Sequence, residues 1–156
     1  MTDPASATRY NPDLWYWGTA DRKPRMLHTM LRVRDLDASL RFYIDVLGMK
    51  QLSDRFDVPA RRVSAVFIGF ESFAAGGCLE LVHSWDQAGP HTHGSGYGHV
   101  SIGAPDIEGM SARLEQVGVE FTLKPTALLE GGPKVAFIKD PDGYAIELLQ
   151  TRQDAA

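Results

Sequence analysis

The sequence predicts an α+β protein built from two copies of a βαβββ module. Three observations carry that prediction: a strand-to-helix opening between Met26 and Gly48, three Val-, Ile-, Phe- and Leu-rich segments after it, and the return of the opening pattern 71 residues later, at His99 for His28.

In LHTMLRV, Leu27 to Val33, apolar and polar residues alternate with the period of a half-covered strand. Asp35 or Asp37 then serves as a helix cap. In LDASLRFYIDVLG the residues Leu36, Leu40, Tyr43, Ile44 and Leu47 recur every three or four positions until Gly48 supplies a stop. MKQLSDRF, RRVSAVFIGF and GCLELVHSW, separated by Pro, Gly and Ser, read as three further strands. GYGHVSIGAPDIEGMSARLEQVGVEF repeats the opening, with Asp35-Leu36 matched by Asp106-Ile107 and Val46 by Val117 at the same offset of 71. VEFTLKP, KVAFIKD and YAIELLQ supply three more strands, and Asp140 to Gly143, DPDG, a tight hairpin turn. DQAGPHTHGSG between the modules is a loop or linker.

The expected organisation is an N-terminal extension over residues 1–24 and one domain over 25–152, with module 1 at about 25–88 and module 2 at about 95–152. Trp15, Tyr16 and Trp17 are expected to pack over a domain edge or a neighbouring subunit, or else to form a lid on the active site.

A chain of 156 residues buries roughly 70% of its unfolded surface. With 44% hydrophobic and 23% charged residues, broad disorder is excluded. Sixteen basic and twenty acidic side chains, with no basic block, argue against a nucleic-acid or anionic-membrane partner and for small-molecule work. Cys78 stands alone, so no internal disulfide forms. The start shows neither half of a secretion signal, and no apolar run reaches the ~20 residues of a membrane helix. A reduced, cytoplasmic compartment is expected.

Two carboxylates carry the chemistry. Glu80 in LEL corresponds to Glu147 in IEL, at an offset of 67 because the second module's loops are shorter. On a strand each shares a face with its second neighbours, Cys78 and Val82 or Ala145 and Leu149, so both face apolar surroundings. A carboxylate there protonates or finds a cation. With His28 and His99 at equivalent positions on neighbouring strands, the four residues form the ligand inventory of a divalent metal. Nitrogen and oxygen donors suit Ni, Co, Zn, Fe or Mn, and four protein ligands leave positions open on a six-coordinate ion, as catalysis requires.

LHTMLRVRDLDASLRFYIDVLGM, LELVHSW, GYGHVSI and DPDGYAIEL, in this order over residues 26–150, resemble the glyoxalase I (lactoylglutathione lyase) family of the vicinal oxygen chelate superfamily. The resemblance implies the vicinal oxygen chelate (glyoxalase/bleomycin resistance) fold, with paired mixed sheets and helices outside. It also implies a homodimer with its sites at the subunit interface, although one chain closing its own two-module site is the physical alternative. The family's metal positions fall on His28, Glu80, His99 and Glu147, with His28 matching the bacterial form. The implied reaction detoxifies methylglyoxal: its glutathione hemithioacetal becomes S-lactoylglutathione by proton transfer from C1 to C2 through a metal-stabilised enediolate. Glu147 matches the main base and Glu80 the partner that serves the opposite hand of the substrate. Short loops resemble the Ni2+- or Co2+-activated group, with Zn2+ the alternative.

Arg32 matches an arginine that binds the glutathione γ-glutamyl carboxylate. The chain departs from the family at Ser84, where an asparagine is usual, and at Glu130, where a lysine precedes the Gly pair; Lys134 is the replacement cation. These departures keep an acyl-CoA epimerase open as a reading. An iron-dependent extradiol dioxygenase needs only three ligands, and a metal-free binding protein needs none. His83, with parity opposite to Glu80, is expected at a surface or interface, His91 and His93 in a solvated loop, and Cys78 as an inert buried thiol. GSGYG lacks the strand and helix of a nucleotide site.

Overall fold

Asp35 and Asp106 start the two helices: each side-chain oxygen accepts a backbone N–H three residues on, from Ala38 at 3.0 Å and Gly109 at 2.9 Å. The computed structural model describes residues 24–75 and 77–151, which divide into two units between His91 and Thr92. Trp15, Tyr16 and Trp17 lie outside the described residues.

The first unit holds β1 (His28–Arg32), α1 (Leu36–Leu40) running on as a π-helical stretch (Arg41–Val46), β2 (Lys50–Gln51), β3 (Phe56–Val58), β4 (Val63–Gly69) and β5 (Cys78–Ser84). The sheet order is β1-β5-β4-β2, with β3 also on β4; β1 is parallel to β5 and the other pairs are antiparallel. One face packs on the helix and buries Leu31, Val66, Ile68, Leu79 and Leu81 against Leu36, Tyr43 and Leu47. MKQLSDRF is therefore two short strands rather than one. Leu52 N–H donates to the Phe67 carbonyl at 2.8 Å, but the Phe67 N–H goes to the Ser53 hydroxyl at 3.0 Å, so a side chain replaces the ladder where the strand breaks.

The second unit follows the predicted order: β6 (Val100–Ala104), α2 (Ile107–Gln116), β7 (Phe121–Ala127), β8 (Lys134–Lys139) and β9 (Ala145–Gln150). Its sheet order is β6-β9-β8-β7, with β6 parallel to β9. Ile107 and Leu114 of α2 bury against the face that carries Ile102, Ala136, Ile138, Ile146 and Leu148. Asp140 closes the DPDG turn: its carboxylate accepts the Asp142 and Tyr144 N–H groups at 2.9 and 2.8 Å, and Gly143 adopts φ +86°.

The repeat slips inside the helices. Asp35 and Gly48 stand 13 positions apart, Asp106 and Gly118 only 12, and both glycines take positive φ (+82° and +84°) after the helix. The first helix absorbs its extra residue as the wider π-helical turn, with Leu47 N–H donating to the Phe42 carbonyl five residues back. Val46 is thus displaced from its expected match: Leu47 and Val117 hold the equivalent terminal positions.

Asp35→Ala and Asp106→Ala are each expected to lower stability by about 1 kcal/mol, and Leu114→Ala, at a fully buried position, by about 2–5 kcal/mol. Urea unfolding measures all three.

Candidate metal centre

On the face of each sheet away from its helix, a carboxylate sits on the strand second from the edge. Glu80 of β5 stands opposite Met30 of β1 and Phe67 of β4; Glu147 of β9 stands opposite Ser101 of β6 and Phe137 of β8. His28 opens β1 opposite Cys78, and His99 immediately precedes β6. The imidazoles lean toward the carboxylates, with Nε2 to Oε2 distances of 3.3 Å for His28–Glu80 and 3.5 Å for His99–Glu147.

These separations exceed the ~2.7–2.9 Å of a charge-assisted hydrogen bond. They are nearer to the spacing of adjacent ligands, since two donors at right angles around an ion with bonds of about 2.1 Å stand about 3.0 Å apart. The pairs are reachable from solvent yet sheltered at the carboxylate: Glu80 and Glu147 side chains are 21% and 15% exposed, His28 and His99 33% and 43%. Two such pairs, neutral imidazole with carboxylate, fit a borderline divalent ion by donor chemistry. Each unit carries one His–Glu pair, and no third His, Cys, Asp or Glu among the described residues joins either pair.

The two sequence-predicted pairs are thus each brought together. Arg32 is exposed on the same face as Glu80, opposite Val82, and Ser84 lies two residues further along that face. The row from His28 to Arg32 spans about 13 Å at the rise of a strand. Lys134 goes elsewhere: its ammonium donates to Glu108 of α2 at 2.5 Å, on the helix side of the sheet that carries Glu147, because its parity in β8 is opposite to that of Phe137. Glu130 is exposed in the connection between β7 and β8.

The equivalent positions differ in one more respect. Where the first unit has Arg32 opposite Val82, the second has Gly103 opposite Leu149, and a Cβ there would meet the Thr151 methyl at 2.9 Å. His83 turns away from Glu80 and sets Nδ1 3.3 Å from the Val33 carbonyl. His91 and His93 lie in the loop expected for them and are half-buried: their Nε2 atoms are buried without a hydrogen-bond partner among the described residues, and His93 stacks on Tyr144 with centroids 4.1 Å apart.

Two residues of the site were not anticipated. Phe67 meets His28 edge-on, with centroids 5.3 Å apart and planes at 69°, and Phe137 meets His99 in the same way at 5.4 Å and 76°. The available signal was their strand parity: each stands across the ladder from a carboxylate. Phe67 also belongs to an apolar cluster with Phe73, Cys78, Leu52 and Phe56.

Residues 25–148 match the Glyoxalase/Bleomycin resistance protein/Dioxygenase superfamily. The lactoylglutathione lyase of Haemophilus influenzae is 37% identical over 128 residues, which cover 82% of this chain and 93% of that one. Among solved structures, the trypanothione-dependent glyoxalase I of Leishmania major matches with TM-score 0.70 and 38% identity, over 82% of this chain and 87% of that one. Glyoxalase I of Zea mays matches with TM-score 0.76 and 32% identity over 83% of this chain, which spans about half of the maize chain (45%). No helix among the described residues is long and apolar enough to cross a membrane.

Burial, and secondarily the charge of Glu80, push the Cys78 thiol up to about 11. Its thiolate fraction at pH 8 is then about 100-fold below that of a thiol titrating near 9, and reaction with a thiol reagent is expected to slow accordingly. Unfolding in urea should restore the fast rate; kinetics of alkylation with and without urea measure this.

Proposed function

The chain belongs to the Glyoxalase/Bleomycin resistance protein/Dioxygenase superfamily, and we propose that it acts as a lactoylglutathione lyase. It isomerises the hemithioacetal of methylglyoxal and glutathione to S-lactoylglutathione. The observation that carries this reading is the duplicated His Nε2–Glu Oε2 pair at the spacing of adjacent ligands. His28, Glu80, His99 and Glu147 together hold one divalent ion, and the pair of one subunit meets that of its partner in a homodimer. When bound, the ion supplies positive charge where negative charge develops on the two vicinal oxygens.

Glu147, the more sheltered carboxylate, takes the proton from C1 and returns it to C2, while the C1 hydroxyl loses its proton and the C2 oxygen gains one. Glu80 does the same on the opposite hand of the substrate. Nickel or cobalt is the metal, in keeping with the short connections over residues 70–77 and 85–99. Arg32 binds a carboxylate of the carrier with two parallel hydrogen bonds, and Ser84 lies further along the same face for its peptide. Lys134, engaged by Glu108, takes no part. The Leishmania relative, named for trypanothione, shares 38% of its residues, which supports reading the carrier from residues outside the two pairs.

The test is S-lactoylglutathione formation, followed by absorbance on chain stripped of metal and reloaded with Ni2+, Co2+ or Zn2+, with an acyl-CoA thioester as the comparison substrate. Chelation should abolish turnover, and nickel or cobalt should restore more than zinc does. Turnover of the acyl-CoA alone would overturn the reading. Glu147→Gln should keep the fold and lose about 10²- to 10⁴-fold in kcat. Arg32→Leu should raise KM about tenfold with kcat held, the loss of a charged hydrogen bond of at least about 1.5 kcal/mol.

A further inference from the structure

We infer that Phe67 and Phe137 are positioning residues for the metal-binding histidines, each holding one imidazole so that Nε2 faces the carboxylate on the intervening strand. The inference rests on the His–Glu pairs acting as metal ligands and goes beyond it by assigning what orients them.

The argument starts from strand order. In the first sheet the order β1-β5-β4 puts His28 on one flank of the Glu80 strand and Phe67 on the other. In the second, β6-β9-β8 puts His99 and Phe137 on the two flanks of the Glu147 strand. The flanking strands lie two ladder spacings apart, about 9.5 Å, yet the rings meet at 5.3 and 5.4 Å between centroids. Each imidazole therefore leans over the carboxylate strand until a phenyl ring stops it. The interplanar angles, 69° and 76°, are those of edge-to-face packing, which sets the plane of the imidazole as well as its position.

The arrangement occurs twice, in units whose remaining site residues differ, so packing accident in one sheet does not account for it. Phe67 is buried in an apolar cluster, whereas Phe137 is half-buried. The ring contact is the shared element. A metal-bound histidine is commonly oriented by donating its other ring N–H to an oxygen acceptor. Among the described residues, the hydrogen-bond, ion-pair and ring contacts of His99 are two, with Glu147 and with Phe137. At His99 the phenyl ring takes the orienting role that an oxygen acceptor usually fills.

The test is Co2+ and Ni2+ binding to the full-length chain, with affinity from titration and ligand geometry from the visible absorption bands of bound Co2+. Phe67→Leu and Phe137→Leu keep an apolar side chain but remove the ring edge. Each is expected to weaken metal binding about tenfold, the lower end for loss of an orienting neighbour, and to shift the Co2+ bands. Phe137→Tyr, which retains the ring, should behave as the parent. Ile138→Val, on the opposite face of the same strand, loosens the core without touching His99 and should leave the Co2+ spectrum unchanged. Parent-like affinity and spectrum in both Leu variants would overturn the inference while leaving the ligand set intact. A parent chain that binds neither ion would overturn the ligand set, and this inference with it.

Discussion

The candidate centre depends on where each sheet carries a carboxylate. Glu80 and Glu147 sit on strands flanked on both sides, on the face the helix does not cover, among Cys78, Val82 and Phe67 in one unit and Leu149 and Phe137 in the other. A carboxylate so placed offers its oxygens as donors to a cation, the role proposed for both pairs. The parallel pairing of the first and last strands of each unit then decides what else is within reach. It sets a histidine beside the carboxylate at the strand start and leaves the opposite flank to a phenylalanine.

The duplication is faithful at the ligands and loose around them. The connection between the last two strands is residues 70–77 in the first unit and 140–144 in the second, yet Phe67 still faces Glu80 as Phe137 faces Glu147. The extra helical residue of the first unit is taken up as a π-helical turn, so the strands on either side keep their register. Length differences are thus confined to elements whose geometry bends cheaply, while the ladder pairs that define the site hold.

The two His–Glu pairs were legible because they combine two signals that survive without a structure, a fixed offset and the two-residue period of a strand. His28 and His99 come from the first, and the facing of Glu80 and Glu147 from the second. Helix caps were legible for a similar reason: Asp35 and Asp106 act on backbone three residues away. What depended on contacts between strands was not legible. The break at Ser53 follows from a hydroxyl that takes the Phe67 N–H, the capture of Lys134 by Glu108 from the facing of a strand toward its helix, and the role of the phenylalanines from a meeting across an intervening strand. Sequence spacing shows none of these, because the partners lie between 14 and 39 positions apart with no period connecting them.

The inequality of the two units bears on how the proposed reaction is oriented. Two equivalent His–Glu pairs around one ion would accept the vicinal oxygens of a substrate either way round, with Glu80 or Glu147 beside C1. The anchor breaks that degeneracy. Arg32 stands on the Glu80 face of the first unit, while its counterpart Gly103 is closed off by Thr151. If Arg32 holds a carboxylate of the carrier, as proposed, that carboxylate has no equivalent grip at Gly103, and the carrier would lie along β1 and β5. Chemistry in this arrangement belongs to the symmetric residues and direction to the asymmetric ones. On the proposed reading, a change at Arg32 acts on how the carrier is held, and a change at Glu147 on whether the proton moves.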